Sequence, residues 1–153
     1  MEGGAFSVAV VGGSGLVGRE IVSLFEERQF PVGTLSLLGS LRTAGQTFED
    51  EGHPSRKVEL LRPDSFANVD FAFFTAGPRV AGEFAPIAAA SGSTVIDCSS
   101  RFRLDDAVPL VVPEVNPEAI AGRHERGIIA NPSSTSIALS VVLAPLAVEA
   151  GLS

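Results

Sequence analysis

The run Gly12-Gly13-Ser14-Gly15-Leu16-Val17-Gly18 carries glycines at two overlapping spacings. Gly13, Gly15 and Gly18 fit G-x-G-x-x-G, and Gly12, Gly15 and Gly18 fit G-x-x-G-x-x-G. Glycine permits positive φ, lets the backbone approach a bulky anion, and lets a helix pack closely on a strand. An apolar stretch precedes the run and a helical pattern follows it. A helix beginning there offers unpaired N–H groups and the positive end of its dipole. Together these features suit the pyrophosphate of a dinucleotide, with Gly12 and residues 14–18 as its cradle. The same glycines would also serve a tight strand–helix turn that holds no ligand. An Asp or Glu at the end of the second strand is what bonds the ribose hydroxyls of NAD, and Leu38-Gly39-Ser40 has none. Arg42 and Thr43 follow instead. A guanidinium and a hydroxyl suit a 2′-phosphate, so NADP is expected over NAD. As a solvated loop charge, Arg42 would have no such role.

These groups need elements to hold them. Short apolar runs alternate with helical stretches. Strands are predicted over residues 7–11, 34–38, 58–61, 71–75, 94–97, 110–112 and 128–130, with a short additional strand at 46–48. A helix is predicted over 17–27, with Val17, Ile21, Leu24 and Phe25 on one face. Others are predicted over 80–90, where Pro86 is a bend point, over 117–121, and over 134–150, where Pro145 is a weak point. Strands apolar on both faces and separated by helices imply an α/β fold: a doubly wound, mostly parallel, Rossmann-like sheet with helices on both faces. Ligands of such sheets bind beyond the carboxyl ends of the strands. Gly12, Ser40, Ala76, Asp97 and Asn131 all stand at such ends.

Composition narrows the function. The chain has 153 residues, enough for one domain with a sizeable core. Its 11 Lys and Arg against 18 Asp and Glu give a net charge of −7, which argues against broad nucleic-acid binding. With no tryptophan and no tyrosine there is little for a base-stacking platform. Mean hydropathy is high, +0.31, yet no apolar run reaches the roughly 18 residues of a membrane helix. The first residues lack the pattern of a secretory signal, and the single cysteine, Cys98, fits a reducing compartment, so a cytoplasmic protein is expected. No metal-ligating set is apparent.

Five segments occur in order: the glycine run; Ser40-Leu41-Arg42-Thr43-Ala44-Gly45; Val95-Ile96-Asp97-Cys98-Ser99-Ser100-Arg101-Phe102-Arg103; Val108-Pro109-Leu110-Val111-Val112-Pro113-Glu114-Val115-Asn116-Pro117; and Ile129-Ala130-Asn131-Pro132. In this order they resemble the nucleotide-binding domain of the aspartate-semialdehyde dehydrogenase family across nearly the whole chain. The resemblance implies reduction of aspartyl phosphate to the semialdehyde with NADPH. It implies that Gly12, Ser14, Gly15, Leu16, Val17 and Gly18 hold the pyrophosphate, Arg42 and Thr43 the 2′-phosphate, and that Ala76 and Gly77 border the nicotinamide. It assigns Arg103 and Asn131 to a phosphorylated or aldehyde substrate. The family's second glycine after Ala76 is Pro78 here, which removes one N–H.

The family's catalytic segment reads N-P-N-C-[ST], whereas this chain reads Asn131-Pro132-Ser133-Ser134-Thr135-Ser136. Ser134 therefore occupies the catalytic position of the nucleophilic cysteine. A serine hydroxyl is far less acidic than a thiol and needs a strong neighbouring base. A loss of at least about 10²-fold in dehydrogenase rate is expected from that exchange. Cys98 reads as a half-buried core thiol rather than a replacement, Ser134 would also serve as a helix cap, and His53 and His124 read as isolated surface residues. The serine, with the segment Arg28-Gln29-Phe30-Pro31-Val32-Gly33, resembles the Usg-type relatives that keep the fold and lack the cysteine. Residues 1–133 are expected to form the dinucleotide domain. Residues 134–153 are expected to lead into a second, dimerising and catalytic domain, with a homodimer as the full-length state. Two functions are therefore carried forward: a semialdehyde dehydrogenase cofactor domain with weak or no activity, and a non-catalytic NADP-binding or protein-interaction module derived from it. A short-chain reductase with Tyr-x-x-x-Lys is disfavoured, because there is no tyrosine.

Overall fold

Four consecutive apolar residues, Val8 to Val11, behind Phe6 and Ser7 make the innermost strand, β1 (Phe6–Val11). Its residues from Val8 to Val11 are at most 1% exposed. Alternate side chains of a strand face opposite ways, and here both ways lead into a core. Val8 and Val10 join Leu37 and Val58 beneath Ile21, Val22 and Phe25 of α1 (Leu16–Glu27). Ala9 and Val11 join Phe74, Ala72 and Val95 beneath Ala81, Ala85 and Ala88 of α2 (Pro78–Ala90). The computed structural model describes residues 5–48 and 55–151. It is an α/β sandwich of the Rossmann type, with helices on both faces of one sheet.

Around β1 the sheet runs β3-β4-β2-β1-β5-β6-β7. Here β2 is Val32–Gly39, β3 Thr47–Phe48, β4 Arg56–Leu60, β5 Phe71–Phe74, β6 Thr94–Asp97 and β7 Ile128–Ala130. All pairs are parallel except β3 with β4. The chain winds outward from β1 to β2 and β4, then returns to β1's other side for β5, β6 and β7. That reversal opens a crevice between the carboxyl ends of β1 and β5, the place where doubly wound sheets take ligands. Asp70 fixes the opposite ends. Its carboxylate accepts from the Ser7 N–H at 2.8 Å, its own N–H donates to the Ser7 carbonyl at 2.9 Å, and its carbonyl accepts from the Thr94 N–H at 2.8 Å. One aspartate thereby sets the register of three neighbouring strands.

Several predicted boundaries move for identifiable reasons. β2 starts at Val32, two residues ahead of the expectation, because the Pro31 carbonyl already accepts from Phe6 N–H at 2.7 Å. α2 starts at Pro78 rather than at residue 80; proline suits a first helical position, where its missing N–H would be unpaired anyway. Val17 was expected on the buried face of α1 but is 51% exposed, since the first turn projects past the strand ends, and Val22 takes its place in the core. A strand at 110–112 does not form. Leu110 makes only an isolated bridge to Ala130, and Asn116 takes up the backbone groups there. Its Oδ1 accepts from Val112 N–H at 2.8 Å, and its Nδ2 donates to the Leu110 carbonyl at 3.0 Å. The short helix expected at 117–121 is a 3-10 helix, Pro117–Glu125. A further 3-10 turn, Pro63–Phe66, was not expected. The last helix, α3 (Ser134–Ala150), has the predicted bounds and no buried residue. His53 lies outside the described residues, as does the side chain of His124. Among the described residues no helix is long and apolar enough to cross a membrane.

The α2-side core turns on one aromatic pair, Phe66 and Phe74, stacked at 5.8 Å between ring centroids and at most 1% exposed. Phe74→Ala empties a fully packed site and is expected to cost about 3–5 kcal/mol of stability. Denaturant unfolding measures it, and a cost under about 1 kcal/mol would show that this core collapses around the gap.

Candidate functional site

The glycine run folds as a turn in which positions 12 and 18 admit no larger residue. Gly12 has φ +88°, and a Cβ on it would stand 2.7 Å from Thr75 Oγ1 and 2.9 Å from Ala76 N. A Cβ on Gly18 would stand 2.5 Å from the Gly12 carbonyl oxygen. Gly18 is therefore a packing residue that seats α1 against the end of β1, and it is buried. Gly15 differs. Its only near neighbour would be the Gly12 oxygen at 3.3 Å, so its free side faces open space. Gly15 is also the residue before α1, with no side chain capping the helix and no acidic residue in the first turn. The N–H groups of Leu16, Val17 and Gly18 therefore lack intrahelical partners.

Gly15, from which α1 starts, lines a cavity of about 700 Å³. Gly12, Ser14 and Gly15 line it from the first turn, and Ser40, Leu41, Arg42 and Thr43 from the turn after β2. Thr75, Ala76 and the first turns of α2, through Arg79, Val80, Glu83 and Phe84, close the far side. Thr75 ties the two central strands together: its hydroxyl donates to the Val11 carbonyl at 2.9 Å and lies 3.2 Å from the Gly12 carbonyl. An anionic group fits this cradle, which combines uncapped helical N–H groups, a glycine open to the cavity, and guanidinium groups among the lining residues.

The structure brings together Gly12, Ser14, Gly15, Arg42, Thr43 and Ala76 from the sequence-predicted set. Leu16 and Val17, 86% and 51% exposed, and the buried Gly18 do not line the cavity. Gly77 is the residue before α2, at φ +93°, and does not line the cavity. Thr43 is engaged inside its own turn, its hydroxyl donating to the Ser40 carbonyl at 3.2 Å. Leu60, Leu61, Thr75, Arg79, Glu83 and Phe84 were missed. Two signals would have found most of them: Leu60 and Leu61 stand at the carboxyl end of a strand, and positions 79, 80, 83 and 84 share one helical face.

A second cluster forms at the ends of β6 and β7. Asp97 is fully buried, and its carboxylate accepts from Ser99 N–H at 2.9 Å and Ser99 Oγ at 2.8 Å. Ser99 Oγ in turn accepts from Arg101 N–H at 3.1 Å, so one carboxylate shapes the turn that delivers Arg103. Arg103 spans the gap between strands: Nε donates to the Asn131 carbonyl at 3.0 Å and Nη2 to the Cys98 carbonyl at 3.1 Å. It forms no surface salt bridge, and Nη1 remains uncommitted among the described residues. Cys98 is half-buried, and its thiol is pushed above the ordinary range by burial first and by the Asp97 carboxylate second, against a smaller opposing pull from Arg103. At α3 the capping residue is Ser133, not Ser134: Ser133 Oγ accepts from Ser136 N–H at 3.2 Å. Ser134 is exposed in the first turn, and no base hydrogen-bonds its hydroxyl among the described residues.

The family model for the semialdehyde dehydrogenase NAD-binding domain matches residues 7–123. The chain belongs to that family. It is 47% identical over 150 residues to the aspartate-semialdehyde dehydrogenase of Shewanella violacea, covering 97% of this chain and 44% of that protein. Among solved structures it matches aspartate semialdehyde dehydrogenase II from Vibrio cholerae with a TM-score of 0.89 at 43% identity, covering 95% of this chain and 43% of that one. The aspartate semialdehyde dehydrogenase with NADP from Candida albicans matches with a TM-score of 0.76 at 26% identity, covering 95% and 47%. The chain thus spans less than half the length of these relatives. Its family places a nicotinamide dinucleotide in this domain, in agreement with the crevice between β1 and β5.

Two outcomes follow from the geometry. Gly18→Ala forces its methyl onto the Gly12 carbonyl, and is expected to lower stability by about 1–3 kcal/mol, read from denaturant unfolding. Cys98 is expected to react with iodoacetamide at pH 7 more slowly than a free thiol, with the rate climbing only at alkaline pH. Thiolate is the reactive form, and a raised pKa keeps it scarce at neutrality. Fast alkylation at pH 7 would show the thiol to be activated.

Proposed function

We propose that this chain is the NADP-binding part of a protein acting on a semialdehyde or acyl phosphate, with weak or no dehydrogenase activity of its own. The observation that carries the reading is the cavity between the turn at residues 12–15 and Arg42. Its donors suit an anion, and the end of β2 has no acid to bond unphosphorylated ribose hydroxyls. A dinucleotide bound there would supply hydride chemistry. The chain's own residues would orient it: Gly12, Ser14 and Gly15 with the first N–H groups of α1 toward the pyrophosphate, Arg42 toward the 2′-phosphate, Ala76 and Gly77 toward the nicotinamide. The relative from Candida albicans solved with NADP supports the choice of NADP over NAD. Arg103 would hold a phosphate or carboxylate with its free Nη1 while Asn131 completes the wall, a role supported by its placement between the ends of β6 and β7.

Ser134 would stand at the nucleophile position. An exposed hydroxyl with no adjacent base is a poor nucleophile at neutral pH, which supports weak or absent turnover and a Usg-type relationship. The second reading, a non-catalytic NADP-binding or interaction module, is favoured by one observation: α3 exposes Leu139, Val142, Leu143, Leu146 and Val148, from 52% to 82%, and buries nothing. A helix at residues 134–153 that leads into a second, dimerising and catalytic domain, a homodimer at full length, and a cytoplasmic location complete the proposal.

Titration with NADPH and NADH tests the cofactor; binding of neither removes it. In an assay of the full-length gene product with phosphate, NADP and aspartate semialdehyde, the native Ser134 form is expected to turn over at least about 10²-fold more slowly than Ser134→Cys. Equal rates overturn the serine argument. If neither turns over, the interaction-module reading replaces the enzyme.

A further inference from the structure

The expected pair of phosphate donors was Arg42 and Thr43, but the Thr43 hydroxyl proton is committed to the Ser40 carbonyl within the same turn. A 2′-phosphate only accepts hydrogen bonds, so Thr43 in this state has none to give. Across the same cavity stands a second guanidinium that nothing in the fold employs. Arg79 lines the cavity from the first turn of α2, is exposed, and has no hydrogen bond or ion pair among the described residues.

Its location is unfavourable by itself. The amino end of a helix is the positive end of the dipole, so a cation there is destabilising and an anion stabilising. α2 begins without a side-chain cap, has no acidic residue in its first turn, and opens on Gly77 and Pro78. Glu83, four residues on, also lines the cavity, yet no ion pair joins it to Arg79. Cation-before-acid is the weaker order for such a pair on a helix. A protein of net charge −7 thus lines one cavity with two arginines, Arg42 and Arg79, neither of them ion-paired among the described residues, against the single acid Glu83.

We propose that Arg79 is the second cation for the extra phosphate on the adenosine ribose, and so fixes the preference for a phosphorylated dinucleotide. The proposal rests on the dinucleotide reading above and names the group that gives it selectivity. Charge-assisted bonds from two guanidinium groups bind a phosphate in a way that one flexible loop arginine does not.

The test is calorimetric titration of the whole chain, native, Arg79→Gln and Arg79→Lys, with NADPH, NADH and, as competitors, adenosine 2′,5′-bisphosphate and 5′-AMP. Arg79→Gln is expected to weaken NADPH and the bisphosphate about tenfold, the worth of one charge-assisted hydrogen bond. NADH and 5′-AMP should change less than about twofold, since neither carries the phosphate concerned. Arg79→Lys, which keeps the charge and loses the planar fork, should fall between. Unchanged NADPH affinity in Arg79→Gln overturns the proposal while leaving the dinucleotide reading intact. So does an equal loss for NADPH and NADH, which would place Arg79 at the pyrophosphate. Native chain that binds neither dinucleotide overturns both. Arg79 is exposed on its helix, so unchanged thermal melting of the variants is expected, and Arg79→Lys gives the reading should the glutamine variant melt early.

Discussion

The approach of the Gly18 α-carbon to the Gly12 carbonyl is the constraint on which the rest depends. A methyl at position 18 would lie 2.5 Å from that oxygen. That closeness lets α1 begin directly off the end of β1, and only a helix starting there brings its unpaired N–H groups to the crevice. The same closeness sets the tilt at which Ile21, Val22 and Phe25 reach the sheet, where Phe25 meets Phe30 and Phe73 at 5.4 and 5.3 Å between centroids. Binding geometry and packing of one sheet face are therefore the same constraint. Glycines at 12 and 18 answer to protein sterics, whereas the one at 15 answers to the cavity.

The two clusters at the strand ends are held by different means. Around β1 and β5, close approach of backbone does the work, with the Thr75 hydroxyl as a clasp on the Val11 and Gly12 carbonyls. Around β6 and β7, a buried carboxylate does it. Asp97 is fully buried with both oxygens bonded by Ser99, a fixed anion from which the turn to Arg103 is suspended. Arg103 then ties Cys98 to Asn131. A buried polar group left without partners costs about 1–3 kcal/mol, so Ser99 and Asp97 stand or fall together. Burial first, and that anion second, push the Cys98 thiol pKa up. The second cluster is therefore poor ground for a thiolate and good ground for a fixed arginine.

Much of this was legible in the sequence because it rests on local rules. Apolar runs of four to six residues separated by helical periodicity specify a doubly wound sheet whatever the details, and the glycine spacing identifies its ligand end. The parts not legible depend on which backbone groups a side chain bonds and on which elements the fold brings side by side. Asn116 reaching back to Val112 and Leu110 turned an apolar stretch into a bridged loop, because side-chain amides replaced a strand as hydrogen-bond partners. The fate of the Thr43 proton depended on the curl of its own turn. Arg79 and Glu83 became cavity residues only once α2 was seen to lie beside the turn after β2. The identity of the capping serine, 133 rather than 134, lay within the one or two residues by which helix ends are uncertain from pattern alone.

Ser134 therefore differs from the other site residues in how firmly it is held. Gly12, Thr75 and Arg103 are fixed by contacts within the sheet; Ser134 is fixed by α3. That helix is apolar on most sides, buries none of its residues, and carries Pro145 in its interior, where a backbone hydrogen bond is lost. Isolated helices of this length are marginal in water, and most helical stability in proteins comes from packing of a buried face. Ser133 contributes a cap worth about 1 kcal/mol, which holds the first turn but not the axis. A catalytic group needs its geometry held to within about half an ångström by its surroundings. The glycine turn is fixed by close backbone contacts among the described residues. The serine meets that standard only when another surface covers α3, so any chemistry at Ser134 is conditional on that surface in a way that dinucleotide binding is not.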